Sequence, residues 1–154
     1  MQTKGVKTAK QGKASELQVA AELLRRGYNI FIPLIDAGID LIAATDMRFI
    51  SIQVKESKFY PEQGVYWQEI RKEPFDRTKR KDVFYIFTLR EGAEINYLIV
   101  PSLWIEKHAD RFYFDTKNQK WFFYFKLEEG KALEVRKSRL DLTSFLNNWD
   151  QLRG

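Results

Sequence analysis

Cysteine is absent from all 154 residues, and histidine occurs once. The first absence excludes disulfides and thiolate metal sites. The second leaves no histidine-based zinc set, and no Ser-His-Asp arrangement is found around His108, which follows Lys107 in what reads as a surface helix. Only eight glycines are present, and no glycine-rich loop that could cradle a phosphate is among them. No apolar run is long enough to span a bilayer, and nothing resembles a signal peptide. These absences predict a soluble, cytoplasmic protein with no membrane partner and no small-molecule cofactor. Internal repeats and low-complexity linkers are also missing.

What is there suits a packed core. Hydrophobic residues make up 44% of the chain and aromatics 15%, in a length that predicts a single domain over residues 1–154. The formal net charge is +5, and it is unevenly placed. Lys4, Lys7, Lys10 and Lys13 open the chain without an acidic residue between them, and "RTKRK" puts Arg77, Lys79, Arg80 and Lys81 into five positions. Residues 83–130 hold six cations against seven acids. Basic segments on a near-neutral body suit either a polyanion partner or a solvated surface.

"ASELQVAAELLRRGY" predicts an amphipathic helix with Leu17, Ala20, Ala21 and Leu24 on the buried face, and Gly27 as its left-handed stop. The helix can extend back through the lysine-bearing segment. "YNIFIP" reads as a strand ended by Pro33, residues 38–44 as a second and 49–55 as a third, with Thr45-Asp46 as the turn between the last two. Residues 56–82 are polar and contain Pro61, Gly64 and Pro74, which predicts a long loop with room for one helical turn. Strands "VFYIFTL" and "INYLIV" follow, then a short helix with Ser102 as N-cap. An aromatic hairpin comes next, from "RFYFD" and "KWFFYFKL", and a terminal helix capped by Asp141 closes the chain. The order indicates a mixed α/β domain.

The stretch "GIDLIAATDMRFISIQVKES" (residues 38–57) carries three polar groups in an apolar strand pair. Ile50, Ile52 and Val54 alternate with Ser51, Gln53 and Lys55, so Gln53 and Lys55 share a face. If the two strands pair through the short turn, Asp40 lies roughly opposite Gln53. Two oxygen donors and an ammonium then converge at one end of a small sheet. A hard cation such as Mg²⁺ accepts that donor set, and a lysine beside it stabilises developing negative charge. Taken singly, each residue also has a plain structural role: Asp40 as a turn cap or partner of Lys55, Gln53 as a core amide, Glu16 as a solvated helix residue.

In order, Glu16 on the first helix, "GID" and "IQVK" resemble the PD-(D/E)xK nuclease superfamily in its QxK form. The phrase "ELQVAAELLRRGYNIFIP…GIDLIA…ISIQVKES" is particularly similar to the small homing endonucleases of bacterial group I introns, and archaeal Holliday-junction resolvases share a related core. The resemblance spans about residues 5–58. It implies an α/β, restriction-endonuclease-like core, a mixed central β-sheet flanked by helices. It implies Asp40, Gln53, Lys55 and Glu16 as the catalytic set. Asp40, Gln53, the Val54 carbonyl and Glu16 would hold Mg²⁺, with Mn²⁺ as a substitute. Ile39 stands where the superfamily often has proline, and Gln53 removes one negative charge from the metal site. Asp36 is a possible second acid at the site mouth.

For double-stranded DNA, the expected phosphate contacts are Lys4, Lys7, Lys10, Lys13, Arg77, Lys79, Arg80 and Lys81. Lys58, Gln63, Trp67, Gln68, Arg71 and Lys72 are candidates for reaching base edges. One active site cuts one strand, so double-strand cleavage calls for a homo-oligomer, a dimer or a dimer of dimers, with one face of the aromatic hairpin as a candidate interface. The expected function is a metal-dependent, site-specific, homing-type DNA endonuclease. The alternatives are a junction resolvase and a non-catalytic DNA-binding relative.

Overall fold

The computed structural model describes residues 4–35 and 37–154, with side chains from Thr8 onward; Asp36 and the side chains of Lys4 and Lys7 lie outside the described residues. Helix α1 (Lys4–Arg25) does take in the lysine-bearing segment. It ends where Gly27 adopts φ +93°, and the Tyr28 N–H closes back on the Leu23 carbonyl at 3.1 Å, a left-handed cap that a Cβ would strain. The buried face is not the predicted stripe. Ser15, Val19, Ala20 and Leu23 are buried, whereas Leu17 and Leu24 are 54% and 56% exposed.

Strands β1 (Asn29–Phe31), β2 (Leu41–Thr45), β3 (Arg48–Glu56), β6 (Val83–Glu91) and β7 (Glu94–Pro101) form sheet A in the order β1-β2-β3-β6-β7. β3 and β6 run parallel, and the other pairs are antiparallel. α1 lies on the face of Ile50, Ile52 and Val54, closing one apolar core with Val19 and Leu23.

The predicted long loop of residues 56–82 is instead β4 (Lys58–Tyr60), β5 (Val65–Arg71) and helix α2 (Lys72–Thr78). Pro61 and Gly64 mark the turn between two strands rather than a disordered stretch, and β5 alternates buried Tyr66, Gln68 and Ile70 with less buried Trp67 and Glu69. β4 and β5 join β8 (Tyr113–Asp115), β9 (Lys120–Glu128), β10 (Lys131–Glu134) and β11 (Leu140–Asp141) in sheet B. The aromatic hairpin is therefore β8 and β9. Its inner residues Trp121, Phe123 and Phe125 pack on Tyr85, Phe87 and Leu89 of β6. So the second face of the central mixed sheet is covered by another sheet as well as by short helices.

Helix α3 (Ser102–Lys107) has Pro101 at its cap position, and the buried Ser102 hydroxyl bonds to the Arg80 backbone rather than capping. The expected terminal helix is two 3-10 turns, Thr143–Phe145 and Trp149–Arg153. Asn147 breaks it: it sits at φ +52° and its side chain accepts from the Tyr97 N–H at 2.8 Å. Among the described residues, no helix is long and apolar enough to cross a membrane.

Candidate active site

β2 and β3 pair from Thr45↔Arg48 to Leu41↔Ile52, and Asp40 stands one residue beyond that ladder. Its own N–H donates to the Ile52 carbonyl at 2.9 Å. Its carboxylate Oδ2 accepts the Val54 N–H at 2.8 Å. Asp40 is 8% exposed, and a carboxylate this deep keeps its charge only with such donors or a cation around it. β2 ends just where Val54 would need a backbone partner, and the aspartate side chain takes that place.

Alternation along β3 directs peptide groups of even-numbered residues toward β2 and those of odd-numbered residues toward β6, where Ser51 N–H reaches the Asp82 carbonyl at 2.8 Å. The Val54 carbonyl therefore opens on the same edge as Asp40. Gln53 and Lys55 are half-buried on the sheet face opposite α1. Asp40, Gln53, Val54 and Lys55 are thus brought together at one end of the β2–β3 pair. Ser57, two residues past Lys55, is buried, and its hydroxyl has no hydrogen-bond partner among the described residues.

Tyr85 is a neighbour the sequence does not single out. It is paired with Gln53 across β3 and β6. Burial pushes its hydroxyl up to about 12; a hydrogen bond with Thr78 opposes the rise, and the Asp40 charge adds to it. At neutral pH the phenol therefore stays protonated and uncharged, able both to donate and to accept a hydrogen bond. Only an apolar reading of "VFYIFTL" was available from sequence, and it gives no hint of this role.

Helix α2 closes the mouth. Arg77 Nη2 donates to the Ala37 carbonyl at 3.2 Å. A Cβ on Gly38, which sits at φ +93°, would lie 3.4 Å from Thr78 Cγ2. The basic run that begins at Arg77 is thereby held beside the Gly38–Asp40 segment. Its members differ in what they offer: Arg77 pairs with Glu73, Lys79 with Asp76 and Glu106, while Arg80 and Lys81 are exposed.

The other expected site residues stand on other elements. Glu16 lies on α1, across the sheet from Lys55, and its described ion pair is with Lys13 at 2.6 Å. Lys58, Trp67 and Arg71 share the outer face of sheet B, with Lys58 opposite Trp67 in register. Lys72 pairs with Asp76, Gln63 is exposed in the β4–β5 turn, and Lys10 is exposed on α1. Gln68 is turned inward. It is 7% exposed, its Nε2 donates to the Glu56 carbonyl at 2.8 Å and its Oε1 accepts from Glu69 N–H, so it is a strut between the sheets and not a base reader.

The donor set suits a hard divalent ion: a carboxylate, an amide oxygen and a peptide carbonyl, all of them oxygen donors. Among the described residues, no three His, Cys, Asp or Glu side chains cluster closely enough to hold a metal, so any ion here depends on the amide and the carbonyl as well as Asp40. A helix on one face of a mixed sheet, with Asp and QxK at the open end of a strand pair, defines a restriction-endonuclease-like nuclease fold. The model of the PD-(D/E)XK endonuclease family matches residues 6–118, and the chain belongs to that family. Among solved structures, it is similar to a bacterial homing endonuclease, I-Ssp6803I, at 16% identity, with 99% of this chain and 94% of that chain covered and a TM-score of 0.68. At that identity the likeness establishes the fold. No curated protein matches the sequence significantly.

Proposed function

We propose that the protein is a Mg²⁺-dependent, site-specific DNA endonuclease that makes double-strand breaks, working in the cytoplasm as one catalytic domain per chain. The observation that carries this reading is the Asp40 carboxylate held by the Val54 N–H at 2.8 Å, beside Gln53 and Lys55 in a member of the endonuclease family. Asp40, Gln53 and the Val54 carbonyl would hold the metal at the edge of the sheet, with Glu16 joining from the α1 side in exchange for its ion pair with Lys13, and Mn²⁺ able to replace Mg²⁺. The bound ion supplies Lewis-acid charge at the scissile phosphate.

Lys55 does the remaining electrostatic work. Its ammonium stabilises the negative charge that builds on the phosphoryl oxygens as water adds to phosphorus and the bond to the leaving sugar oxygen breaks. The water gives up a proton to solvent, and the leaving oxygen takes one up. Tyr85 stays protonated behind Gln53 and keeps the floor of the site polar without adding charge.

Phosphate contacts come from Lys4, Lys7, Lys10 and Lys13 on α1 and from Arg77, Lys79, Arg80 and Lys81 beside the site mouth. Lys58, Trp67 and Arg71 give the outer face of sheet B a cationic and aromatic character suited to base and backbone contact, with Gln63 and Lys72 at its margins. A homing-type site-specific cutter fits the similarity to I-Ssp6803I, itself a homing endonuclease. Cutting both strands requires a second copy, so the chain acts as a dimer or a dimer of dimers. Exposed Phe31, Leu34, Ile35 and Phe49 provide apolar area for such contacts, as does the outer side of the aromatic hairpin.

The test is cleavage of a panel of supercoiled plasmid, linear random-sequence library and four-way junction, with Mg²⁺, Mn²⁺ or EDTA, run beside Lys55→Ala. Discrete, metal-dependent cuts in the library are expected, with a loss of at least a hundredfold in the variant. Cutting confined to the junction would assign a resolvase. Binding without cleavage under every metal would indicate a non-catalytic relative, and full activity in Lys55→Ala would overturn the site.

A further inference from the structure

β3 is gripped immediately after Lys55, and Glu56 is the hub. Its Oε2 accepts hydroxyls from Ser15 of α1 and Thr88 of β6, and its Oε1 lies 3.4 Å from Arg90 Nε. Arg90 in turn donates from Nη2 to Gln18 Oε1 on α1. The Glu56 carbonyl takes Gln68 Nε2 at 2.8 Å, and Ser57 N–H donates to the Thr88 carbonyl at 3.0 Å. Ser15 is 1% exposed and Thr88 is fully buried. Elements α1, β3, β5 and β6 therefore converge on one side chain and its peptide.

The apolar contacts of Val19 and Leu23 hold α1 onto the sheet, but such contacts are non-directional and tolerate sliding. A carboxylate that accepts from two hydroxyls and a guanidinium fixes direction and height. Ser15 is the residue before Glu16, so the same grip sets where Glu16 stands relative to Val54 and Lys55.

We propose that Glu56 is a positioning residue of the metal site: by locking Ser15 and Gln18 against β3 it holds Glu16 in place as a metal donor. This rests on the metal-site reading above. Residues that orient metal donors through hydrogen bonds contribute to affinity without touching the ion.

The test is Mn²⁺ binding to the full chain without DNA, followed by electron paramagnetic resonance, for wild type, Asp40→Ala, Glu56→Gln, Ser15→Ala, Glu16→Gln and the Glu56→Gln/Glu16→Gln double variant. Glu56→Gln is expected to weaken Mn²⁺ binding by roughly tenfold. The double variant should bind within about twofold of Glu16→Gln alone, since both changes remove one contribution. Ser15→Ala should shift affinity in the same direction by a smaller factor, and it decides the matter if Glu56→Gln does not fold. Wild-type affinity in Glu56→Gln and Ser15→Ala, or losses that multiply fully in the double variant, would overturn the positioning role while leaving the site intact. Failure of the wild type to bind, or binding unaffected by Asp40→Ala, would instead remove the metal site itself and this proposal with it.

Discussion

Gly38 stands two residues before the aspartate, and its backbone conformation favours glycine. Its φ of +93° strains any L side chain, although Thr78 Cγ2, the nearest atom, would stand at an ordinary contact distance of 3.4 Å from a Cβ. Gly38→Ala is therefore expected to lower the unfolding free energy by about 1–2 kcal/mol in urea titration, and to reduce cleavage further by displacing Asp40. A variant as stable and active as wild type would contradict the backbone assigned here. At this scale much was readable from sequence. Asp40, Gln53 and Lys55 could be placed together because β-alternation and a two-residue turn fix which residues meet. Glu56 and Tyr85 could not. A glutamate at the polar end of a strand reads as solvated, and a tyrosine inside an apolar run reads as core, until the partners from α1 and α2 are known.

Elements were less legible than residues, for identifiable reasons. In α1, two overlapping stripes satisfy the helical spacing: Leu17, Ala20, Ala21 and Leu24, and Ser15, Val19 and Leu23 with Ala20. The second is buried: Val19 and Leu23 pack on sheet A, and Ser15 bonds to Glu56, a polar anchor that hydrophobic periodicity counts against a core face. Leu23→Ala should accordingly cost about 2–5 kcal/mol and Leu17→Ala less than about 0.5 kcal/mol in denaturant unfolding. The reverse order would restore the predicted face. In residues 56–82, the buried polar Gln68 and the Pro61 and Gly64 of a tight connection concealed two strands. At the carboxy-terminal end, "DLTSFLNNWDQL" has helical spacing, but the Asn147 side chain bonds to Tyr97 and diverts the chain. In α1 and at the carboxy-terminal end a side-chain hydrogen bond to another element went against the local pattern, whereas β5, rich in Val, Tyr, Trp and Ile, followed its own β-propensity.

For the whole molecule, sheet B covers β6 and β7 of sheet A, and α2 with its basic run lies beside the Gly38–Asp40 segment at the paired ends of β2 and β3. That layout gives one polar centre with cations beside it. The central claim is that the Asp40–Val54 edge binds the divalent ion on which cleavage depends. Substituting Fe²⁺ for Mg²⁺ and adding ascorbate and peroxide generates hydroxyl radicals at the ion, which cut the nearest peptide bonds, and mass spectrometry locates the cuts. Cuts close to Asp40 and within residues 53–55, competed away by Mg²⁺ and absent in Asp40→Ala, are the predicted result. Cuts confined to another part of the chain, or unchanged in Asp40→Ala, would contradict it.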